Sequence, residues 1–368
     1  MRETNEISSV QIRGLIVSTV IGVGILSLPN KMAIAIGNDG WIPIILGGIF
    51  SIINVFIINK IFQIYPNKDF FEIGREALGK WVFNFFIFIF FIYNMAVMAS
   101  LSRNLAELVK AFLLETTPPE VLIITFILAT TYIARSEIQI IGRLGYHIYP
   151  IIIVSIIILI IFSLPSIDYT NALPVFQFDI SKLPKAVLDS YFSFVGFEIL
   201  LFAIPFAEDR NNNSKIVRTS ISAIIIVTII YLVVFFLTLS QYGLHSLQRQ
   251  AFPTISLIKE IDLPGFFIEN LDGVAMAIWT LVIFATMAPT YYSAGKILSN
   301  LFAVREHGFF IIPMIPIIYI FSLIPQNVLQ IETILGTTIN YLGIISVVIL
   351  PTLIYLIGLF KVRRRADE

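Results

Sequence analysis

Apolar runs of about 20 residues follow one another along this chain, separated by short clusters of charge, glycine and proline. The pattern predicts ten membrane spans: Ile12–Ala35, Trp41–Tyr65, Trp81–Leu113, Val121–Ala134, Leu144–Leu164, Lys185–Ala207, Ile216–Ser240, Leu271–Leu301, Phe310–Leu323 and Ile334–Phe360. The runs are continuous rather than alternating with period two, so they read as helices and not as barrel strands. Spans four and nine are short, and tilt or local burial must make up their length.

Two spans are interrupted at matching places. The first carries Ser18-Thr-Val-Ile-Gly-Val-Gly-Ile-Leu-Ser-Leu-Pro29. Gly22 and Gly24 weaken that helix, and Pro29 cannot donate to its ladder. The sixth carries Phe194-Val-Gly-Phe-Glu198 near its middle and Pro205 beyond. Ten spans divide into two halves of five, about residues 12–164 and 185–360. An odd number of spans per half gives the halves opposite orientations. Interrupted helices at matching positions of two inverted halves point to a binding site at mid-membrane. Backbone groups freed there are tolerated only where they face protein or a wet cavity. The halves share no visible sequence identity, so the repeat rests on pattern alone.

Composition agrees with an all-α membrane bundle forming a single domain. Hydrophobic residues make up 57% and charged ones 13%, against roughly 25% charged in soluble domains. The formal net charge of +0 gives no reason to expect a nucleic-acid partner. The chain has no cysteine, so disulfides and thiolate metal sites are excluded. Glu3 and Glu6 stand where a cleavable signal peptide would carry basic residues. With the N-terminus inside, roughly seventeen of the 24 Lys and Arg residues fall on the inner side, among them the terminal Lys361-Val-Arg-Arg-Arg365. Only Lys31, Lys110, Lys182, Lys185, Arg249 and Lys259 fall outside. The positive-inside rule therefore predicts both termini in the cytoplasm, which requires an even number of spans. The basic terminus also suits contact with anionic lipid. Asn67–Lys80 reads as a mixed-charge inner loop able to meet a partner.

The run Val20-Ile-Gly-Val-Gly-Ile-Leu-Ser-Leu-Pro29 resembles the first helix of the spore germination receptor B subunits, members of the amino acid–polyamine–organocation transporter superfamily. Asp39-Gly-Trp-Ile42, Glu76-Ala-Leu-Gly-Lys-Trp81, Ala106-Glu-Leu-Val-Lys-Ala-Phe-Leu-Leu-Glu115, Phe194-Val-Gly-Phe-Glu198 and Phe252-Pro-Thr-Ile-Ser-Leu257 extend the similarity along the whole chain. The resemblance implies a ten-helix LeuT-like fold of two inverted five-helix repeats, with helices one and six broken. It also implies a germinant-sensing subunit in the spore inner membrane. Its partners would be a larger receptor A subunit and a C-subunit lipoprotein.

The candidate ligand site gathers Gly22, Val23, Gly24 and Ile25 with Val195, Gly196, Phe197 and Glu198. Amides at a half-helix N-terminus suit a carboxylate, and carbonyls at a C-terminus suit an ammonium. An α-amino acid carries both groups. The same glycines also suit close helix packing, and that alternative stays open. Glu198 is an acid near mid-bilayer, where insertion costs about 3 kcal/mol. It can be protonated, bind freed amides, meet a ligand ammonium, or tie the broken helices together. Tyr93 and Val97 share a face of span three. By resemblance that helix and Thr286 of span eight flank the site; the alternatives are core packing for the pair and a bond to the preceding turn for the hydroxyl. Arg103 and Glu107 form either an outer gate or an i,i+4 pair. His147 reads as a proton site or a packed helix-end histidine.

No nucleophile–base pair, phosphate loop or metal cluster is visible, so neither an enzyme nor a cofactor is expected. The apolar surround of Val23, Ile25, Val97, Val195 and Phe197 suits a small neutral amino acid. The competing reading is an ion-coupled amino acid transporter. Sodium-coupled members of this fold place paired hydroxyls on span eight, yet Thr286 has Ala285 and Met287 beside it. Proton-coupled relatives can carry a lysine on span five, and Leu144–Leu164 has none. Both absences favour sensing.

Overall fold

The first apolar run folds as two helices, α1 (Ser9–Ile21) and α2 (Gly24–Ile36). Ser8 opens α1 with a capping box: its hydroxyl accepts from the Gln11 amide, and the Gln11 side chain accepts from the Ser8 amide. The computed structural model describes residues 6–22, 24–209, 213–259 and 271–367. Among them every regular element is helical, with one isolated bridge between Ile7 and Ala207.

A 3-10 turn, Gly37–Gly40, leads into α3 (Trp41–Ile64). Then come α4 (Phe70–Leu78), α5 (Lys80–Phe112), α6 (Pro119–Ala134) and α7 (Ile138–Ser163). The second half begins with α8 (Leu183–Ser193) and α9 (Leu200–Ala203), then α10 (Asn213–Leu247), α11 (Pro253–Lys259), α12 (Leu271–Leu301) and α13 (Gly308–Leu323). The last span joins α14 (Val328–Gln330), α15 (Thr337–Gly343) and α16 (Leu350–Asp367) through π-helical turns at Ile331–Gly336 and Ile344–Ile349. Among the described residues both halves run in one order: a broken helix, a long helix, a short one, a long one, a helix of 16 residues and a final long span.

The structure corrects one element. Residues 67–80, expected as a loop, hold α4, because Asp69 and Glu72 form a capping box at its start and Gly79, with φ of 81°, ends it. The Asp-x-x-Glu spacing is the signal that announces this helix. Glu76 faces Lys68, and Lys361 donates to the Glu76 carbonyl, so α4 is tied to the last helix.

Six described segments are long and apolar enough to cross a membrane, or seven when the pair Ile180–Ser193 and Phe197–Phe206, bent by 52°, counts as one. Ser9–Ile21, Pro119–Ala134 and Gly308–Leu323 are apolar but shorter. The expected ten spans include those three, with α1 and α2 taken as one broken span.

The interrupted helices lie inside the bundle. α1 packs on α7, α10 and α12, and α8 packs on α2 and α3. Glycines allow the tightest of these contacts. A Cβ on Gly14 would lie 2.7 Å from the Tyr146 Cα, and one on Gly145 would lie 2.7 Å from the Leu15 Cα. In α5, Trp81, Phe85, Phe88 and Ile92 are exposed at helical spacing, an apolar stripe turned away from the core. Trp81, 86% exposed at the start of α5, fits the membrane–water boundary.

Candidate ligand site at the paired helix breaks

The first break follows from glycine placement. α1 stops at Ile21, and Gly22 leaves the helical region with φ −17° and ψ −123°. Val23 lies outside the described residues. A Cβ on Gly22 would stand 2.4 Å from the Thr286 Oγ1, and one on Gly24 would stand 2.9 Å from the Ser193 carbonyl oxygen. Ile25 is fully buried, and its carbonyl accepts from the Thr254 hydroxyl at 2.9 Å. The short helix α11 is thereby fastened to the start of α2.

The second break needs glycine for a different reason. Gly196 has φ of 128°, a conformation that side-chain-bearing residues rarely adopt. A Cβ there would also lie 2.9 Å from the Thr19 carbonyl oxygen. Phe197 is buried, and Val195 is half-buried against the core. The two breaks therefore touch twice, Gly24 on Ser193 and Gly196 on Thr19. These glycines open the helices and also permit close packing.

Side chains meet the backbone groups that the breaks leave without helical partners. The Tyr231 hydroxyl lies 2.7 Å from the Ser193 carbonyl and 3.0 Å from the Val20 carbonyl, bridging the C-terminal ends of α8 and α1. Thr286 donates to the Ser18 carbonyl at 3.1 Å and also reaches the Val282 carbonyl at 3.2 Å. Glu198 accepts from the Gly196 amide through Oε2 at 2.6 Å, and from the Tyr93 hydroxyl through Oε1 at 3.0 Å. Glu198 thus binds a freed amide of its own break, one of its alternatives, and ties that break to α5 rather than to the first broken helix. Val97, one turn beyond Tyr93, is half-buried against the core.

Other residues belong elsewhere. Arg103 and Glu107 pair at 2.6 Å along α5, and Arg103 also donates to the Gln326 carbonyl at 3.0 Å, reaching the turn before α14. A cross-bundle pair stands instead between Lys31 of α2 and Glu332 of the last span, at 2.8 Å. His147 is exposed on α7 and rests on the Tyr146 ring, so it is not packed. Asp39 accepts from the Phe176 and Gln177 amides at 2.8 and 2.9 Å, which gives the Asp39-Gly-Trp motif a structural task in holding the loop before α8.

The sequence reading missed Tyr231, Thr254 and Tyr191. Tyr231 stands in the apolar middle of α10 with Thr228 as its nearest hydroxyl neighbour, and a buried tyrosine usually seeks a partner for its O–H. Thr254 lay inside a motif already singled out. The Tyr191 hydroxyl is buried with no hydrogen-bond partner among the described residues, within electrostatic reach of Glu198. On the face that holds Ile7, the chain is stapled across the bundle. The Ile7 amide donates to the Phe206 carbonyl at 2.7 Å, and the Glu208 amide donates to the Ile7 carbonyl at 3.0 Å. Asp209 accepts from both Lys215 and Ser9 at 2.6 Å, and these contacts, Lys215 first, hold its carboxyl below the ordinary aspartate value. Among the described residues no group of three His, Cys, Asp or Glu side chains is placed to hold a metal ion.

Residues 6–331 match the family described as "Spore germination protein". The chain is 28% identical over 366 residues to spore germination protein YndE of Bacillus subtilis (strain 168), covering 99% of each. It is 28% identical over 352 residues to spore germination protein A2 of the same organism, covering 95% of this chain and 94% of that one. The crystal structure of MhsT in complex with L-phenylalanine aligns with a TM-score of 0.67 over 95% of this chain and 88% of that one, at 16% identity, which establishes a shared LeuT-like fold. The apolar helices make the protein an integral membrane protein, and its family comprises permease and receptor subunits rather than enzymes. With its family match nearly full-length and its relatives of B-subunit type matching end to end, the chain belongs to the spore germination protein family.

Proposed function

We propose that this chain is the germinant-sensing subunit of a spore germination receptor, binding a small neutral amino acid where the α1–α2 and α8–α9 breaks meet. The observation that carries this reading is the paired breaks themselves, in contact at mid-bundle and held by Tyr231, Thr286 and Glu198 from three separate contacts. The first turn of α2 offers amides to a carboxylate. The carbonyl ends of α1 and α8 offer acceptors to an ammonium. Val97, Ile25 and Phe197 bring apolar surface from α5, α2 and the second break. The L-phenylalanine named for MhsT supports an amino acid as the ligand class. The matching element order supports inverted repeats at about 12–164 and 185–360. Spore inner membrane location, cytoplasmic termini, and A-subunit and C-subunit lipoprotein partners complete the proposal. The charge asymmetry supports the cytoplasmic termini, and the family supports the location and partners.

Sensing is favoured over ion-coupled transport by the engagement of Thr286. Its hydroxyl donates to the Ser18 carbonyl, supplying the positive end that a bound cation would otherwise bring. A ligand shifts a two-state equilibrium only by its differential affinity for the two states. The bound state is therefore read by a partner subunit, not as net flux. In proteoliposomes the chain is expected to bind a labelled small neutral amino acid without concentrating it under a sodium or proton gradient. Gradient-driven accumulation that disappears in Gly22→Ala would establish the transporter instead.

The ligand's surroundings give a further expected outcome. Val97→Phe fills the apolar side and blocks a small ligand. Thr286→Val removes one hydrogen bond, worth about 0.5–1.5 kcal/mol net, so the half-maximal germinant concentration should rise about two- to twelvefold. Germination dose–response curves check both, and unchanged midpoints would remove these residues from the site.

A further inference from the structure

A second feature lies away from the breaks, on the outer surface of the bundle where the end of α3 meets the start of α10. An open groove of about 760 Å³ runs between these helices. Its lining is stratified. Lys60, Gln63, Ser214 and Arg218 stand at the end nearer the helix termini, while Phe56, Ile221 and Ile225 line the stretch deeper along the helices. At about 1.5 Å per residue, Ile225 lies roughly 10 Å beyond Arg218 along α10, and Phe56 roughly 6 Å beyond Lys60 along α3. Phe56 and Ile225 are 40% and 45% exposed, so neither is covered by the protein itself.

The charge is one-sided. The groove lining contains two cations and no acid. Among the described residues neither Lys60 nor Arg218 pairs with a carboxylate, whereas nearby Lys215 is engaged by Asp209. Lys60 is held in place from two sides, donating to the Gln63 Oε1 at 2.9 Å and lying 5.4 Å from the centre of the Phe56 ring. Both helices belong to membrane spans. A pair of cations near their ends, above an apolar wall, stands at the level of lipid headgroups.

We propose that this groove holds one anionic phospholipid, its phosphate between Lys60 and Arg218 and an acyl chain along Phe56, Ile221 and Ile225. A soluble phosphate would leave the apolar wall bare, and a neutral apolar segment would leave two cations unmatched. An anionic lipid satisfies both. Because α3 and α10 hold the same place in the two halves of the chain, a bound lipid would lie across the seam between them.

Native mass spectrometry of the purified full chain tests this, with phosphatidylglycerol and phosphatidylcholine as competing probes. The wild type is expected to retain one phosphatidylglycerol in preference to phosphatidylcholine. The double variant Lys60→Gln/Arg218→Gln should lose about 30-fold in that affinity and each single variant about fivefold, from the usual worth of a basic residue at an anionic surface. Lys215→Gln, outside the groove, should retain it. Equal retention of the two lipids by the wild type, or undiminished preference in a folded double variant, would overturn the proposal. A phosphatidylglycerol with a photoactivatable acyl chain gives an independent reading on the wild type alone. Crosslinks should map to the peptides around Phe56 and Ile225, and crosslinks confined to other faces would contradict the site. Failure of both lipids to bind would leave a protein partner as the occupant and equally refute it.

Discussion

Gly22→Ala and Gly196→Val are each expected to abolish germination in response to an amino acid while leaving the protein in the membrane at normal levels. The two act by different physics. At Gly22 the added methyl would stand 2.4 Å from the Thr286 Oγ1 and 2.9 Å from its Cβ. The break must then separate from α12, and the Thr286 bond to the Ser18 carbonyl goes with it. Such overpacking costs about 1–3 kcal/mol. At Gly196 valine is excluded twice, by the φ of 128° and by the Thr19 carbonyl 2.9 Å from the new Cβ. A β-branched residue forced to positive φ adds about 1–3 kcal/mol of strain of its own. Each 1.4 kcal/mol withheld from the ligand-competent arrangement weakens apparent affinity about tenfold. Spores carrying either variant, with protein level checked by immunoblot, provide the measurement. A normal response from both would mean that the breaks are not the site.

The second large effect is expected at Glu198. Glu198→Leu leaves the Gly196 amide and the Tyr93 hydroxyl without their acceptor inside the bundle. An orphaned buried group costs about 1–3 kcal/mol, and here two are orphaned at once. Loss of response accompanied by a lower melting temperature is therefore expected. Glu198→Gln keeps an amide oxygen for the Gly196 N–H and should retain most of the stability. The comparison separates two roles. If Glu198 only ties the break to α5, Glu198→Gln responds normally. If its charge also meets the ligand ammonium, Glu198→Gln folds but needs more germinant. A Glu198→Leu protein as stable as the wild type would contradict the network.

Much of this architecture is written in single residues. Gly22, Gly24 and Gly196 mark the breaks because a helix interior tolerates few other residues that release it, and the structure ends helices at Ile21 and Ser193. α12 ends at the expected Leu301. α7 begins at Ile138, before the expected Leu144, because Gln139 and Arg143 are polar but still helical. Charge-based span reading stops at such residues, whereas the hydrogen-bond ladder does not. What the chain could not display was contact across the bundle. Nothing local says that the Tyr231 hydroxyl spans the ends of α1 and α8, or that Lys31 meets Glu332 some three hundred residues away. Of the two readings of Arg103 and Glu107, gate or i,i+4 pair, the structure shows the pair, and an ion pair between helices stands on Lys31 and Glu332.

The central question is whether an amino acid binds where the two breaks meet. The most direct measurement is equilibrium binding of labelled small neutral amino acids to the full chain in lipid nanodiscs, comparing the wild type with folded Gly22→Ala and Val97→Phe variants. The predicted result is saturable binding of at least one such amino acid by the wild type, lost in both variants. No binding of any small neutral amino acid by the wild type, or equal binding by all three proteins, would contradict it.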